Sequence, residues 1–466
     1  MVHTRTNFWH NLSVHKIDQL PPKVPFAGAL ITLAYLTGRP DLVSRRNRRF
    51  GKAVRAHVPG FGESVGVSDP TLVKQVFTAK PDVLHAGDSS PLKRTLGRNS
   101  IFALDEDLHL RERRLILPPF HGERMGTYTR IFEEETLAEM ATWPVGEDFP
   151  TLEPMMRITL NAILRAVFGA EDDDFDDLRR IIPPLVKLGS MLTAAPFLQK
   201  DWGPRSPWMR FMALRDQYND VIDHVVAKHR ADEHLAERSD VLALLLQARY
   251  DDGTAMSREQ ISDELLTILV AGHETTAASL AWAVERLRRH PEVLDRLVEE
   301  AEHGGSQLRE ATIWEIQRTR PVIVATERHV VKDFELGEWT VPAGMHVIVD
   351  FLGLHTDAAL FPEPDRFHPD RFLDAAPDTY SWVPFGGGVR RCAGAAFAKL
   401  EMDVVLRMLL TRCEIVPTSA KDERWRFRGV AFQPRKGGVL RARSIDLTPL
   451  DDLASEPQPE SALAAT

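Results

Sequence analysis

The sequence predicts a mainly α-helical chain with a small β-rich region, built as one domain. Three stretches carry that expectation. Ser257 to His290 is apolar through its centre, opens with Ser257 and Gln260 at capping-box spacing and is closed by Pro291. The run AAFAKLEMDVVLRMLLTRC, after Gly394, places strong helix formers and apolar residues at helical spacing. Between these two, VIVATERHVVKDFELGEWTVPAGMHVIVD alternates and turns at Gly337 and from Pro342 to Gly344, as a small antiparallel sheet does.

The 466-residue chain shows no linker that would divide it into several cores, and 43% hydrophobic with 27% charged residues suits a large buried interior. A net charge of -9 gives no reason to expect nucleic acid as a partner. Cys392 and Cys413 are too few for a disulfide framework, and Cys413 sits in an apolar run as a structural residue. The apolar stretch from Val24 to Leu36 is broken by Gly28 and is shorter than the roughly 20 residues of a membrane span. No ordered signal-peptide pattern precedes it, so no transmembrane segment and a cytoplasmic location are expected. Residues 1–443 are expected to form the single domain, and 444–466, rich in Asp, Glu, Pro and Ser, a flexible tail.

Along the chain, PPKVPFAGALITLAYL reads as a proline-led entry into a short helix, and RAHVPGFGESVGVS as a hairpin. Asp69 starts a helical run through Phe77. In Asp105 to Phe120, His109 and Arg113 are four apart and share one helix face. From Ile181 to Leu198 the chain is apolar but interrupted by Pro183, Pro184 and Pro196, so one straight helix is not expected there.

The predicted long helix would cross the molecule, at about 1.5 Å per residue. Its centre reads AGHETT, Ala271 to Thr276, a poor choice for helix stability: Gly costs about 1 kcal/mol relative to Ala, and Thr hydroxyls bond back to earlier carbonyls. Such departures mark functional sites. A zinc-protease HExxH reading fails, because its second histidine would fall on Ala277.

FGGGVRRCAG, Phe385 to Gly394, presents Cys392 directly before a helix. Gly386, Gly387 and Gly388 are expected to take positive φ and let the backbone approach a flat ligand. A thiolate beside free helix N–H groups would be favoured electrostatically. A lone cysteine is ordinarily a small buried hydrophobe; three glycines, Phe385 and Arg390 around it argue for a ligand here.

This loop resembles the haem-binding signature of the cytochrome P450 family, with Phe385, Gly386, Gly388, Arg390, Cys392 and Gly394 at the family's spacing. The resemblance extends over approximately Pro21 to Leu440 and implies the family's fold, with a long helix above the haem and the cysteine loop below. It implies haem (heme b, iron protoporphyrin IX) as cofactor, Cys392 as the axial ligand of iron, Phe385 beside the sulfur and Arg390 on a propionate. A thiolate ligand favours O–O cleavage. His109 and Arg113 are implied to hold a propionate, an implication strengthened by FHGER from Phe120 to Arg124; Arg328 is a further candidate, with His329 as its rival. Gly272 is implied to leave room for dioxygen, Thr275 to hydrogen-bond it and Glu274 to relay protons. Glu315, Arg318 and, from FHPDRF, Arg371 are implied to form a buried structural network.

The implied activity is a monooxygenase that inserts one atom of O2 into a lipophilic substrate by hydroxylation or epoxidation. Small or apolar pocket candidates such as Ala271, Val322, Val324 and parts of His85 to Leu104 point to a fatty acid, terpenoid or steroid-like molecule. Electrons from NAD(P)H would come through a ferredoxin and its reductase, with Arg111, Arg114 and Arg391 as candidate docking cations. In the family the segment from Glu171 to His234 forms a mobile helix pair over the substrate. The rival readings are a peroxide-driven peroxygenase, a haem sensor without turnover and a helical scaffold without haem.

Overall fold

The computed structural model describes residues 20–122, 125–169 and 174–450. Its framework is the helix Arg258–Leu287, the long helix hereafter, which spans about 45 Å at 1.5 Å per residue. The capping box forms as expected, with Ser257 accepting from the Gln260 amide, while Pro291 begins a separate helix, Pro291–Glu302.

Two apolar cores lie along the long helix. Near its N-terminal half, Ile261, Leu265, Leu266 and Leu269 join residues of the helices Met125–Met140, Leu152–Phe168, Asp174–Ala194 and Pro207–Ala231. Near its C-terminal half, Ala277 to Leu287 pack with the helices Gln307–Thr319 and Ala395–Arg412 and with the hairpin strands Trp425–Arg428 and Ala431–Pro434. Val270, Ala271, Gly272 and Thr275, between the two cores, are only partly buried. The least regular part of the helix is therefore also its most accessible part.

The main sheet has five strands in the order Ala53–Val58, Gly62–Val67, His346–Asp350, Ala325–Val330 and Leu84–His85. All neighbours are antiparallel except Gly62–Val67 with His346–Asp350, where Val67 pairs with Val349. The early hairpin is thus completed by a strand from the last third of the chain.

The segment from Ile181 to Leu198 is not one helix: the helix Asp174–Ala194 ends before Pro196 and a 3-10 turn, Pro196–Leu198, follows, although the helix itself continues through Pro183 and Pro184. A proline inside a helix costs about 3 kcal/mol, whereas burial of Leu178, Ile181, Ile182 and Leu185 on the same element contributes about 1.5–3 kcal/mol each. Packing outweighs the lost hydrogen bonds. The expected boundary at 443 is corrected: the strand Val439–Ile445 crosses it, and Asp446 accepts from Arg412 Nη1 at 3.1 Å. Of the expected tail, 451–466 lies outside the described residues, as do Glu123 and Arg124 of the FHGER run.

Candidate active site

The cysteine loop lies against the helix Pro70–Thr78, and that contact dictates its glycines. Gly386 and Gly388 have φ of 67° and 62°, the left-handed region expected of them. Gly387 does not: its φ is −161°, and its requirement is space, since a Cβ there would lie 2.2 Å from Phe77 Cδ2. The Phe385 carbonyl accepts from the Cys392 amide at 2.9 Å and closes the loop. Gly394 then caps the helix Ala395–Arg412, and a Cβ on it would meet no heavy atom within 4 Å.

Cys392 is exposed although protein surrounds it deeply, so it borders an interior space. Burial raises its thiol pKa; the Gly394 amide and the charges of Arg113 and Arg391 oppose that without reversing it. The expected preference for the anion is therefore present but outweighed by desolvation. A metal bound at the sulfur would supply the missing stabilisation, because a coordinated thiol is deprotonated.

Around the loop the helix Glu106–Ile116 brings His109 and Arg113, the strand Ala325–Val330 brings Arg328, and the loop itself brings Arg390. His109 is buried and its pKa falls to about 3, first through desolvation and then through the charges of Arg390 and Arg113, with Arg328 acting in the same sense. The imidazole is neutral and can donate one N–H. The Arg113 guanidinium makes no hydrogen bond or ion pair among the described residues. Arg328, 6% exposed, donates at 3.0 Å to Thr326 Oγ1 and at 2.7 Å to the Glu327 carbonyl. Arg390 is already engaged: it donates to Asp105, to the Leu104 carbonyl and, at 3.1 Å, to the Ile101 carbonyl. Asp105 is the carboxylate missed in the sequence, where no local spacing links it to Arg390. His329 is not a rival to Arg328. Neighbours in a strand face opposite sides, and its ring lies 5.0 Å from that of His346.

Of the three guanidinium groups gathered here with the neutral histidine, only Arg390 is ion-paired with a carboxylate, Asp105, among the described residues, which leaves a donor set suited to two further carboxylates. Together with a thiol at a helix N-terminus, these residues fit haem, whose propionates would meet His109, Arg113 and Arg328 while Cys392 faces the iron.

On the long helix, Thr275 Oγ1 donates to the Ala271 carbonyl at 2.7 Å, which leaves its lone pairs to accept. Glu274 is buried; Ser190 Oγ donates to its Oε2 at 3.3 Å and Arg428 Nε lies 3.4 Å from its Oε1. Desolvation raises its pKa, partly offset by Arg428 and Ser190. A Cβ on Gly272 would meet Ile163 Cδ1 and Cγ1 at 3.3 Å, so its bareness also eases the crossing of the long helix over Leu152–Phe168. Val322 and Val324 belong to the apolar core.

Behind the loop, Arg318 grips Glu315, and Arg371 Nε lies 3.2 Å from Glu315 Oε2. His368 donates its amide to the same carboxylate at 2.8 Å. Arg318 also donates to the carbonyls of His355, Pro364 and Arg366, whereas Arg371 Nε and Nη2 find no hydrogen-bond partner among the described residues.

Residues 19–441 match the family model described as cytochrome P450. The chain belongs to the cytochrome P450 family. Cytochrome P450 138 of Mycobacterium tuberculosis is 52% identical over 431 residues, 92% of this chain and 97% of that protein. Cytochrome P450 135B1 of the same organism is 37% identical over 436 residues, 91% of this chain and 92% of its own length. A cyanobacterial cytochrome P450, CYP120A1 with retinoic acid bound, superposes with a TM-score of 0.79 at 19% identity, covering 91% of this chain and 99% of that one. The haem domain of cytochrome P450DA gives 0.77 at 23% identity, covering 92% and 97%. The enzyme is therefore a haem monooxygenase with the family's mainly α fold. No helix among the described residues is long and apolar enough to cross a membrane.

Proposed function

We propose that the chain forms one haem-thiolate monooxygenase domain that runs past 443 through the strand Val439–Ile445 and acts on a lipophilic fatty acid, terpenoid or steroid-like substrate in the cytoplasm. The observation that carries the reading is the convergence of Arg113, Arg328 and His109 beside Cys392. When bound, haem supplies the activation of O2 and the insertion of one oxygen atom. Cys392 ligates it through Sγ, Phe385 and Gly394 shape the loop around the sulfur, and Arg113, Arg328 and His109 bind its carboxylates. Arg390, through Asp105, orients the loop and adds positive charge on the same side.

Thr275, its proton committed to the Ala271 carbonyl, accepts a hydrogen bond from a proton-bearing group in the chamber. Glu274, whose carboxyl pKa burial raises, takes up protons at its carboxyl from the Arg428 side, where that side chain is 23% exposed. The apolar face around Ala271 and Val270 excludes water and favours a lipophilic substrate. Electrons come from NAD(P)H through a ferredoxin and its reductase. Arg111 and Arg114 pair with Asp252 and Asp251, so Arg391, exposed beside Cys392, is the available docking cation of the three.

The test is spectroscopic. The reduced, CO-treated protein shows the red-shifted Soret band of a thiolate-bound haem, and Cys392→Ala abolishes it; a band that persists removes Cys392 as the ligand. A low-to-high spin change on adding fatty acids, terpenoids or steroids then identifies the substrate class, and its absence with all three overturns that part of the reading.

A further inference from the structure

On the outer side of Arg390, the end of the short strand Leu84–His85 meets the start of the helix Glu106–Ile116. His85 Nδ1 lies 3.4 Å from Asp88 Oδ2 and 3.7 Å from Asp105 Oδ2. The ligand atoms of the three residues are all within 4.8 Å of one another. On the other side of the ring, Nε2 is 2.8 Å from Glu106 Oε1.

A hydrogen bond of 2.8 Å to a carboxylate assigns the ring proton to Nε2. In the neutral ring Nδ1 then keeps a lone pair beside two carboxylate oxygens, which gives three acceptor atoms close together. The separations of 3.4 and 3.7 Å exceed the usual 2.7–3.2 Å of a hydrogen bond. The first matches the edge of a tetrahedron whose ligands stand about 2.0–2.1 Å from a central ion, roughly 3.3–3.4 Å, and the second exceeds it by a few tenths of an ångström. A histidine that ligates through one nitrogen and donates to a carboxylate through the other is the usual arrangement at such ions.

The remaining surroundings are compatible. His85 is 8% exposed and Asp105 is held by the amides of Ala86, Gly87 and Asp88, so two of the three donors are preorganised. Asp88 is exposed, with Lys93 Nζ 3.5 Å from its other oxygen, which leaves a route for an ion and a position for water.

We propose that His85, Asp88 and Asp105 form a binding site for one divalent transition-metal ion of the Zn2+ class, on the outer face of the Asp105–Arg390 pair. Such an ion would share Asp105 with Arg390 and so weaken the hold on that guanidinium. Metal occupancy would then reach the cysteine loop without an ion entering the haem chamber.

The experiment is calorimetric titration of the purified full-length protein, freed of loosely bound metal with a chelator, by Zn2+. One saturable equivalent is expected, at least tenfold weaker in both His85→Gln and Asp88→Asn. Asp88 is exposed, so the second variant keeps the fold if the first does not. An isotherm in either folded variant that matches the parent, or no saturable binding by the parent, overturns the site whatever the haem spectrum shows.

Discussion

Arg318 donates from Nε and Nη2 to the two carboxylate oxygens of Glu315, each at 2.7 Å, and neither side chain is exposed at all. Removing one partner strands the other charge in a medium where it cannot be hydrated, which costs about 3–5 kcal/mol. Glu315→Ala and Arg318→Ala should each lose that much in urea unfolding and retain less haem at equal protein. A loss below about 1 kcal/mol would mean that water reaches the pair.

Gly387 should tolerate no side chain while Phe77 stays in place. Gly387→Ala puts a Cβ 2.2 Å from the Phe77 ring, so the loop must move and the thiolate band should weaken or shift. Phe77→Leu in the same chain should restore part of it. Full activity in the single variant would show that the ring gives way freely.

For Thr275→Ala, reductant consumption should continue while product falls and hydrogen peroxide appears, because the acceptor facing the chamber is gone. Unchanged coupling in a product-to-reductant assay would remove Thr275 from the proton path.

Glu401 stands fully buried on the helix after Cys392, with the Thr276 hydroxyl as its nearest polar neighbour, in a contact too imperfect to satisfy either carboxylate oxygen. Burial raises its pKa well above the usual carboxylate range. Below about pH 4 both folded and unfolded forms carry the proton. As pH rises, the unfolded chain ionises first, so the native state loses stability relative to it until the folded group also ionises. Glu401→Gln should therefore stabilise the protein at pH 7, by on the order of 1–3 kcal/mol, and the gain should fade toward pH 4. Equal gains at both pH values would show that ionisation is not the cause.

The features legible in the sequence were those written in local spacing. The capping box at Ser257 and Gln260, the cysteine loop and the Glu315–Arg318 pair each lie within ten residues, and short-range geometry interprets them. What escaped depends on distant partners. Arg111 and Arg114 read as candidate docking cations until Asp252 and Asp251 came to meet them, and Gly387 looked like a φ requirement until Phe77 was beside it. Pro183 and Pro184 were judged by a local cost that packing overrides. Arg328 and His329 were separable in advance, since period-two alternation alone sends them to opposite faces.

The parallel pairing of Val67 with Val349 bears on how the chain is made. At about 5–20 residues per second, a ribosome needs roughly 15–60 s after the hairpin emerges to deliver the strand that covers its edge. Through that interval the strand Gly62–Val67 presents unpaired backbone groups able to join another nascent chain. Yield on expression should therefore respond to synthesis speed and chaperone supply more than to the stability of the finished enzyme.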